Sequence, residues 1–221
     1  MFKKSSTLIA CMLLTLLAAG CAHNPKKSYD YSALKQSRPR SIVILPPLNN
    51  SPDVKATYSM LSQMTYPLAE AGYYVLPVAL VDETFKQNGL SSSADIHAVE
   101  PKKIQEIFGA DAALYVTISK YGTSYVVLNS VVMVTAEAKL VDLKTGATLW
   151  SGEASASNNE GGNNSGGGLI GALVAAAVKQ IINSVTDAGH PVAGVASKRL
   201  LSAGRVNGLL YGPRSANYAK D

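Results

Sequence analysis

The chain has 221 residues, 47% hydrophobic and 16% charged, with a formal net charge of +5. That much apolar side chain excludes a disordered or low-complexity protein, and the length favours one domain with appendages over a two-domain enzyme. The excess charge is unevenly placed, which decides what it means.

Lys3 and Lys4 precede an apolar and small-residue run from Thr7 to Ala19, interrupted only by Thr15, and Leu17-Ala-Ala-Gly20-Cys21 closes it. A basic start, a short apolar stretch and a small-residue exit describe a removable signal, too short for a membrane span. Cleavage between Gly20 and Cys21 would leave Cys21 as the first mature residue. Cys11 departs with the signal and Cys21 becomes the anchor site, so the mature body has no thiol for a disulfide, a zinc site or a nucleophile.

Lys3 and Lys4 also leave, so 18 basic residues face 15 acidic ones. Residues 22–40 hold Lys26, Lys27, Lys35, Arg38 and Arg40 against Asp30 alone, while the rest has 13 basic against 14 acidic residues. The basic character therefore belongs to the leading segment. A nucleic-acid partner, which needs basic residues clustered on the folded part, is not expected. Residues 21–40 read as a lipidated flexible tether that either rests on anionic lipid or is simply a soluble linker. Fully extended it would reach about 65 Å.

Residues 41–203 read as an α/β domain. Ser41–Leu45, closed by Pro46-Pro47, suits a buried strand. Ser51-Pro52-Asp53 starts a helix whose inward face is expected at Val54, Tyr58, Leu61, Thr65, Leu68 and Gly72, with Pro67 kinking or ending it. Tyr73–Val78 is a second strand, Leu80–Gln87 a short helix, and Ser91–Ser93 a loop. Pro101 opens a helix with Ile104, Ile107 and Phe108 inward and Gly109 at its end. Ala112–Ser119 is a third strand and Tyr125–Asp142 a long fourth one. In its second half Thr135, Glu137 and Lys139 alternate with Ala136, Ala138 and Leu140. Asp142–Gly146 is a turn, and Ala147–Ala156, carrying Trp150, is the hairpin partner. The sum is a mixed sheet of about five strands with helices packed against it.

Residues 158–168 are rich in Asn and Gly, but no Lys followed by Ser or Thr closes the run, so a connector is favoured over a phosphate loop. Leu169–Val178 is unbroken small or apolar sequence, too short to span a bilayer. Its Leu169, Ile170, Leu173 and Val174 either pack on the domain's own sheet or dock on another subunit or partner. Pro191 and Gly204 bracket a last helix. In the tail, residues 204–221, Leu209-Leu210-Tyr211 either frays or lies across a neighbouring surface.

No catalytic constellation, metal-ligand set or cofactor motif emerges. His23, His97 and His190 have no second histidine at helical spacing, and no nucleophile elbow occurs. Ser32-Ala-Leu-Lys35 has acyl-enzyme spacing but falls in the tether. Asp82-Glu83 reads as a solvated helix start.

The Ala-Gly-Cys21 exit resembles a bacterial lipoprotein signal, with Ala18 a mild departure from the usual Leu. That resemblance implies a diacylglycerylated and N-acylated Cys21 held firmly by several acyl chains. Ala22, where Asp would mean inner-membrane retention, implies the outer membrane, with the body facing the periplasm. The alternative is an ordinary secretory signal with a coincidental Cys21. Three further landmarks are Ser41-Ile-Val-Ile-Leu-Pro46, Gly109-Ala-Asp111-Ala-Ala-Leu-Tyr-Val116 and Leu140-Val-Asp142-Leu-Lys-Thr-Gly146-Ala-Thr-Leu-Trp150-Ser-Gly152. Together they resemble the fold of the TolB amino-terminal domain, the curli-secretion lipoprotein CsgG and lipoprotein activators of cell-wall synthases. With the ending Asn207-Gly-Leu-Leu-Tyr-Gly212-Pro213-Arg214, the chain is most similar to uncharacterised lipoproteins of the neisserial surface-antigen type. This resemblance implies a non-enzymatic component of an envelope secretion or assembly apparatus, working with a CsgG-like lipoprotein partner and self-associating. A lipoprotein activator of a cell-wall synthase is the second expectation.

Overall fold

The computed structural model describes residues 29–126, 129–160 and 187–220, and excludes the side chains of 124–130. One mixed sheet organises them. Strand β1 (Ser41–Ile44) lies between parallel β3 (Tyr74–Val75) and parallel β4 (Ala112–Val126). From β4 the sheet continues antiparallel through β5 (Asn129–Asp142) to β6 (Thr148–Ser157), giving the order β3-β1-β4-β5-β6. The two-residue β2 (Leu48–Asn49) adds a sixth strand beside β4. The expected mixed sheet with packed helices is present, with one strand more.

The alternation along β1 sorts the two cores. Ile42 and Ile44 face the larger one, where α2 (Ala56–Glu70) supplies Met60, Met64 and Leu68, and α6 (Gly189–Leu201) supplies Val192, Ala196 and Leu200. Val43 and Leu45 face the smaller one, built with Val81 and Phe85 of α3 (Val78–Gln87), Ile96 of α4 (Ser93–His97) and Ile104 of α5 (Pro101–Phe108). That second layer stops short of β5 and β6, so Glu137, Lys139 and Glu153 stand exposed on the sheet. Ala136, Ala138 and Leu140 are buried on the opposite face, as the alternation requires.

Several elements differ from the sequence expectation for identifiable reasons. Helix α2 begins at Ala56, so Val54 precedes it and is exposed, and Tyr58 turns outward to meet Lys86. Leu61, Leu68 and Gly72 are buried as expected, and the rest of the stripe follows Ala56, Met60 and Met64. Pro67 neither ends nor starts the helix; it sits in the last turn, where only the bond to Gln63 is lost. Ser92 caps α4 by accepting the Asp95 N–H at 3.1 Å, turning a serine-rich stretch into a helix start. Ile107 is 42% exposed, so α5 buries Ile104 alone fully. The expected third strand runs on to Val126, and the expected fourth begins only at Asn129, which pairs with it.

The domain limits change most. Residues 32–37 form helix α1 (Ser32–Ser37), with Leu34 3% exposed in the larger core. The end of the expected tether is thus part of the body, and so is the tail beyond residue 203.

Candidate functional site

Three places bring polar or basic side chains together. The first is a clasp that joins the two ends of the described chain. Trp150 on β6 is 1% exposed, and its indole N–H donates to the Asn207 carbonyl at 3.2 Å. Asn207 Oδ1 accepts the Tyr29 N–H at 3.0 Å, and the Tyr29 hydroxyl accepts the Ser151 N–H at 2.9 Å. Tyr31 donates its hydroxyl to the Gly208 carbonyl, and Tyr73 donates to that of Leu210 at 2.9 Å. Gly152 explains the Trp-Ser-Gly spacing, since a Cβ there would lie 2.6 Å from Trp150 Cη2. Between α1 and the returning C-terminal segment is a cavity of about 260 Å³, lined by Leu34, Lys35, Arg38, Tyr73, Leu210 and Pro213 among others.

The second is a buried polar cluster tying α2, β4 and α6. The Tyr121 hydroxyl donates to Ser59 Oγ at 2.6 Å, Ser59 Oγ is 2.8 Å from His190 Nδ1, and Gln63 Nε2 is 2.7 Å from His190 Nε2. Asp187 Oδ1 accepts the Gly189 and His190 N–H groups at 3.0 and 3.3 Å, holding the start of α6. Burial first, with Asp187 nearby, pushes the Tyr121 phenol up to about 12, so it stays a donor across the neutral range. Gly189 is required because a Cβ would meet the Tyr121 ring at 2.5 Å. A Ser–His contact suggests a nucleophile and base, but a nucleophile must reach substrate. Ser59 is 9% exposed, and its Oγ accepts the Tyr121 O–H while facing His190 Nδ1. These contacts join α2, β4 and α6.

The third is the groove left where the second helix layer stops. Its cavity, about 940 Å³, lies among His97, Tyr115, Thr117, Glu137, Lys139 and Glu153. His97 Nε2 lies 3.0 Å from the Pro46 carbonyl, and its ring meets Tyr115 edge-on at 5.2 Å. Burial lowers the His97 pKa against the opposing effect of that bond, and the neutral ring donates its Nε2–H to Pro46. Burial likewise raises the Tyr115 pKa.

Of the residues singled out in the sequence, Gly20, Cys21, Leu169, Ile170, Leu173 and Val174 lie outside the described residues, as does His23. Leu209 is 1% exposed in the chain's own larger core, which leaves it no surface for a partner. Leu210 and Tyr211 are half-buried along the clasp. The tail therefore lies across its own body. Lys35, expected in an unwalled tether, lies on α1 beside the clasp cavity. Asp82 pairs with Lys86 at 2.6 Å and Glu83 accepts from Gln87 at 3.0 Å, both along the surface of α3. Among the described residues no group of three or more His, Cys, Asp or Glu side chains is placed to hold a metal ion. The Ser59–His190 cluster gave no sequence signal, because its members are up to 131 residues apart and share no local motif.

The GNA1162-like lipoprotein family matches residues 29–214, the span from the Tyr29 clasp to the end of the Gly212-Pro213-Arg214 motif. A lipoprotein of Neisseria meningitidis serogroup B, NMB1124/NMB1162, is 53% identical over 207 residues, covering 94% of this chain and 95% of that one. The crystal structure of lipoprotein GNA1162 from Neisseria meningitidis is 58% identical and covers 66% of this chain and all of its own, with a TM-score of 0.54. The LpoB C-terminal domain from Salmonella enterica is 18% identical over 57% of this chain and 98% of its own, with a TM-score of 0.39, too slight a likeness to carry an argument.

Proposed function

This chain belongs to the GNA1162-like lipoprotein family, and from that premise we propose that it is an outer-membrane lipoprotein whose body works close to the bilayer as a non-enzymatic scaffold or accessory part of an envelope secretion or assembly apparatus. Its lipid would sit on Cys21, its body would face the periplasm, and its partner would be a second envelope lipoprotein of the CsgG type. The observation that carries this reading is the Tyr29 clasp. With Tyr29 bonded to Asn207 and Ser151, the leash from Cys21 is eight residues, not the full tether. Eight extended residues reach about 28 Å. A body held that near its membrane meets proteins of the same membrane by diffusion in the plane, and the anchor raises their effective concentration.

The second reading, an activator of a cell-wall synthase, requires the body to reach across the periplasm. The short leash weighs against it.

Photo-crosslinking from exposed Leu80 and Val206 in intact envelopes tests the proposal, since both side chains point into solvent from a described surface. A discrete adduct with another envelope lipoprotein supports it. An adduct with a cell-wall synthase favours the second reading. Turnover of a small substrate by the purified chain, or no adduct from either position, overturns it.

A further inference from the structure

The clasp cavity combines apolar walls, basic side chains and a position beside the anchor. Leu34 and Tyr73 form its inner wall, and Leu210 and Pro213 close it from the returning C-terminal segment. Lys35 and Arg38, both exposed, stand at it from α1. Arg38 is the C-cap of α1 in the left-handed conformation (φ 49°), and its Nε donates to the Lys35 main-chain carbonyl at 3.1 Å, which holds the Arg38 guanidinium against the end of α1. Arg40 follows two residues later, and Arg214 lies over the Tyr74 ring at 5.0 Å. Two carboxylates lie close to this end of α1: Asp111 accepts the Arg40 and Ser41 N–H groups, and Asp142 accepts the Ser37 hydroxyl. Helix α1 starts three residues after Tyr29, so it is the first folded element beyond the leash.

A short apolar cavity with two cations at its mouth matches an anionic amphiphile: a phosphate for the cations, the first part of an acyl chain for the walls. Phosphate groups and acyl chains occur together in the membrane that the leash keeps within about 28 Å. We propose that this cavity takes an anionic phospholipid of that membrane, with its phosphate between Lys35 and Arg38 and the start of an acyl chain against Leu34, Tyr73 and Leu210. The inference rests on the membrane-proximal reading above. It gives the body a second, non-covalent hold on the bilayer and fixes which side faces it.

The test uses unacylated residues 22–221, which retain every contact of the two described cores. Backbone amide shifts are followed on titration with dihexanoylphosphatidylglycerol below its micelle concentration. Dihexanoylphosphatidylcholine controls for the acyl chains, and glycerol 3-phosphate controls for the phosphate alone. The expected result is saturable shifts at Leu34, Arg38 and Leu210 with phosphatidylglycerol, roughly tenfold weaker with phosphatidylcholine. Glycerol 3-phosphate should bind at least about tenfold more weakly than phosphatidylglycerol, because it lacks the apolar contact. Lys35→Gln with Arg38→Gln should weaken phosphatidylglycerol binding roughly tenfold or more. Leu210→Trp should block it by filling the cavity, with the remaining native shifts retained. Equal binding of the two lipids, equal binding of glycerol 3-phosphate, or no effect of the Lys35/Arg38 pair would overturn the proposal. Crosslinks from Leu80 and Val206 in membranes are read separately, so a failure here leaves the partner reading standing.

Discussion

Gly72 and Gly212 meet backbone to backbone: a Cβ on Gly212 would lie 2.6 Å from the Gly72 carbonyl oxygen, and one on Gly72 would lie 2.8 Å from that of Gly212. Two bonds fasten the junction, Gly212 N–H to the Ala71 carbonyl at 2.8 Å and Arg214 N–H to that of Gly72 at 3.0 Å. Gly72 also has φ +96°, a region that side chains disfavour. The end of α2 thus carries the C-terminal segment, and the glycine of the Tyr-Gly-Pro-Arg ending is there for close approach. Gly212→Ala should destabilise the fold by about 1–3 kcal/mol, measured by urea unfolding. An unchanged midpoint would mean that the segment does not rest on Gly72.

Trp150 closes the same clasp from the sheet side. Trp150→Phe removes the donor to the Asn207 carbonyl and part of a buried ring. The expected cost is about 2 kcal/mol, together with faster hydrogen exchange at the Tyr29 amide. Protection of that amide unchanged in the variant would show that the clasp holds without the indole.

The buried cluster predicts strong coupling. Ser59→Ala leaves the Tyr121 hydroxyl short of its 2.6 Å acceptor and should cost about 1–3 kcal/mol. Ser59→Ala with Tyr121→Phe should cost less than the two single changes added together, because both remove the same 2.6 Å bond and Ser59→Ala alone leaves Tyr121 only its longer contacts to Asp187 at 3.3 and 3.4 Å. Additive costs in a double-mutant cycle would contradict the network.

His97 predicts a pH dependence with a definite sign. Its pKa in the folded state lies below its ordinary value of 6.5, chiefly through burial, so the unfolded chain binds the proton more readily. Its contribution to stability is present above about pH 6.5 and is lost as the pH falls through the folded value. Thermal midpoints should therefore fall between pH 7.5 and 5.5. His97→Gln should flatten that interval relative to the parent chain; an identical slope in both would assign the effect elsewhere.

Much of the sheet was legible because its signals are local. The Thr135–Leu140 alternation and the Asp142–Gly146 turn each carry their own period or turn chemistry, and the structure follows both. Asp142 shows why that turn is firm. Despite burial, bonds from Ser37 and from the Thr145 and Lys144 N–H groups hold its carboxyl below the ordinary range. What stayed hidden depends on distant partners. Tyr29, Tyr31 and Leu34 are few among polar and basic neighbours, and partners 122 to 178 positions away, Ser151 on β6 and residues 207–210, draw them onto the body. Leu209 looked like an exposed contact for the same reason. The polar cluster at His190 likewise assembles from three elements with no shared spacing.

With the Tyr29 clasp closed, the anchored body of the proposal sits against its own membrane. Neutron reflectometry on the acylated protein in a supported bilayer measures this directly. Protein density should begin within about 28 Å of the headgroup plane, and disrupting the Asn207 contact should move it outward. A solvent layer clearly thicker than that between bilayer and body, with the clasp intact, would contradict the proposal.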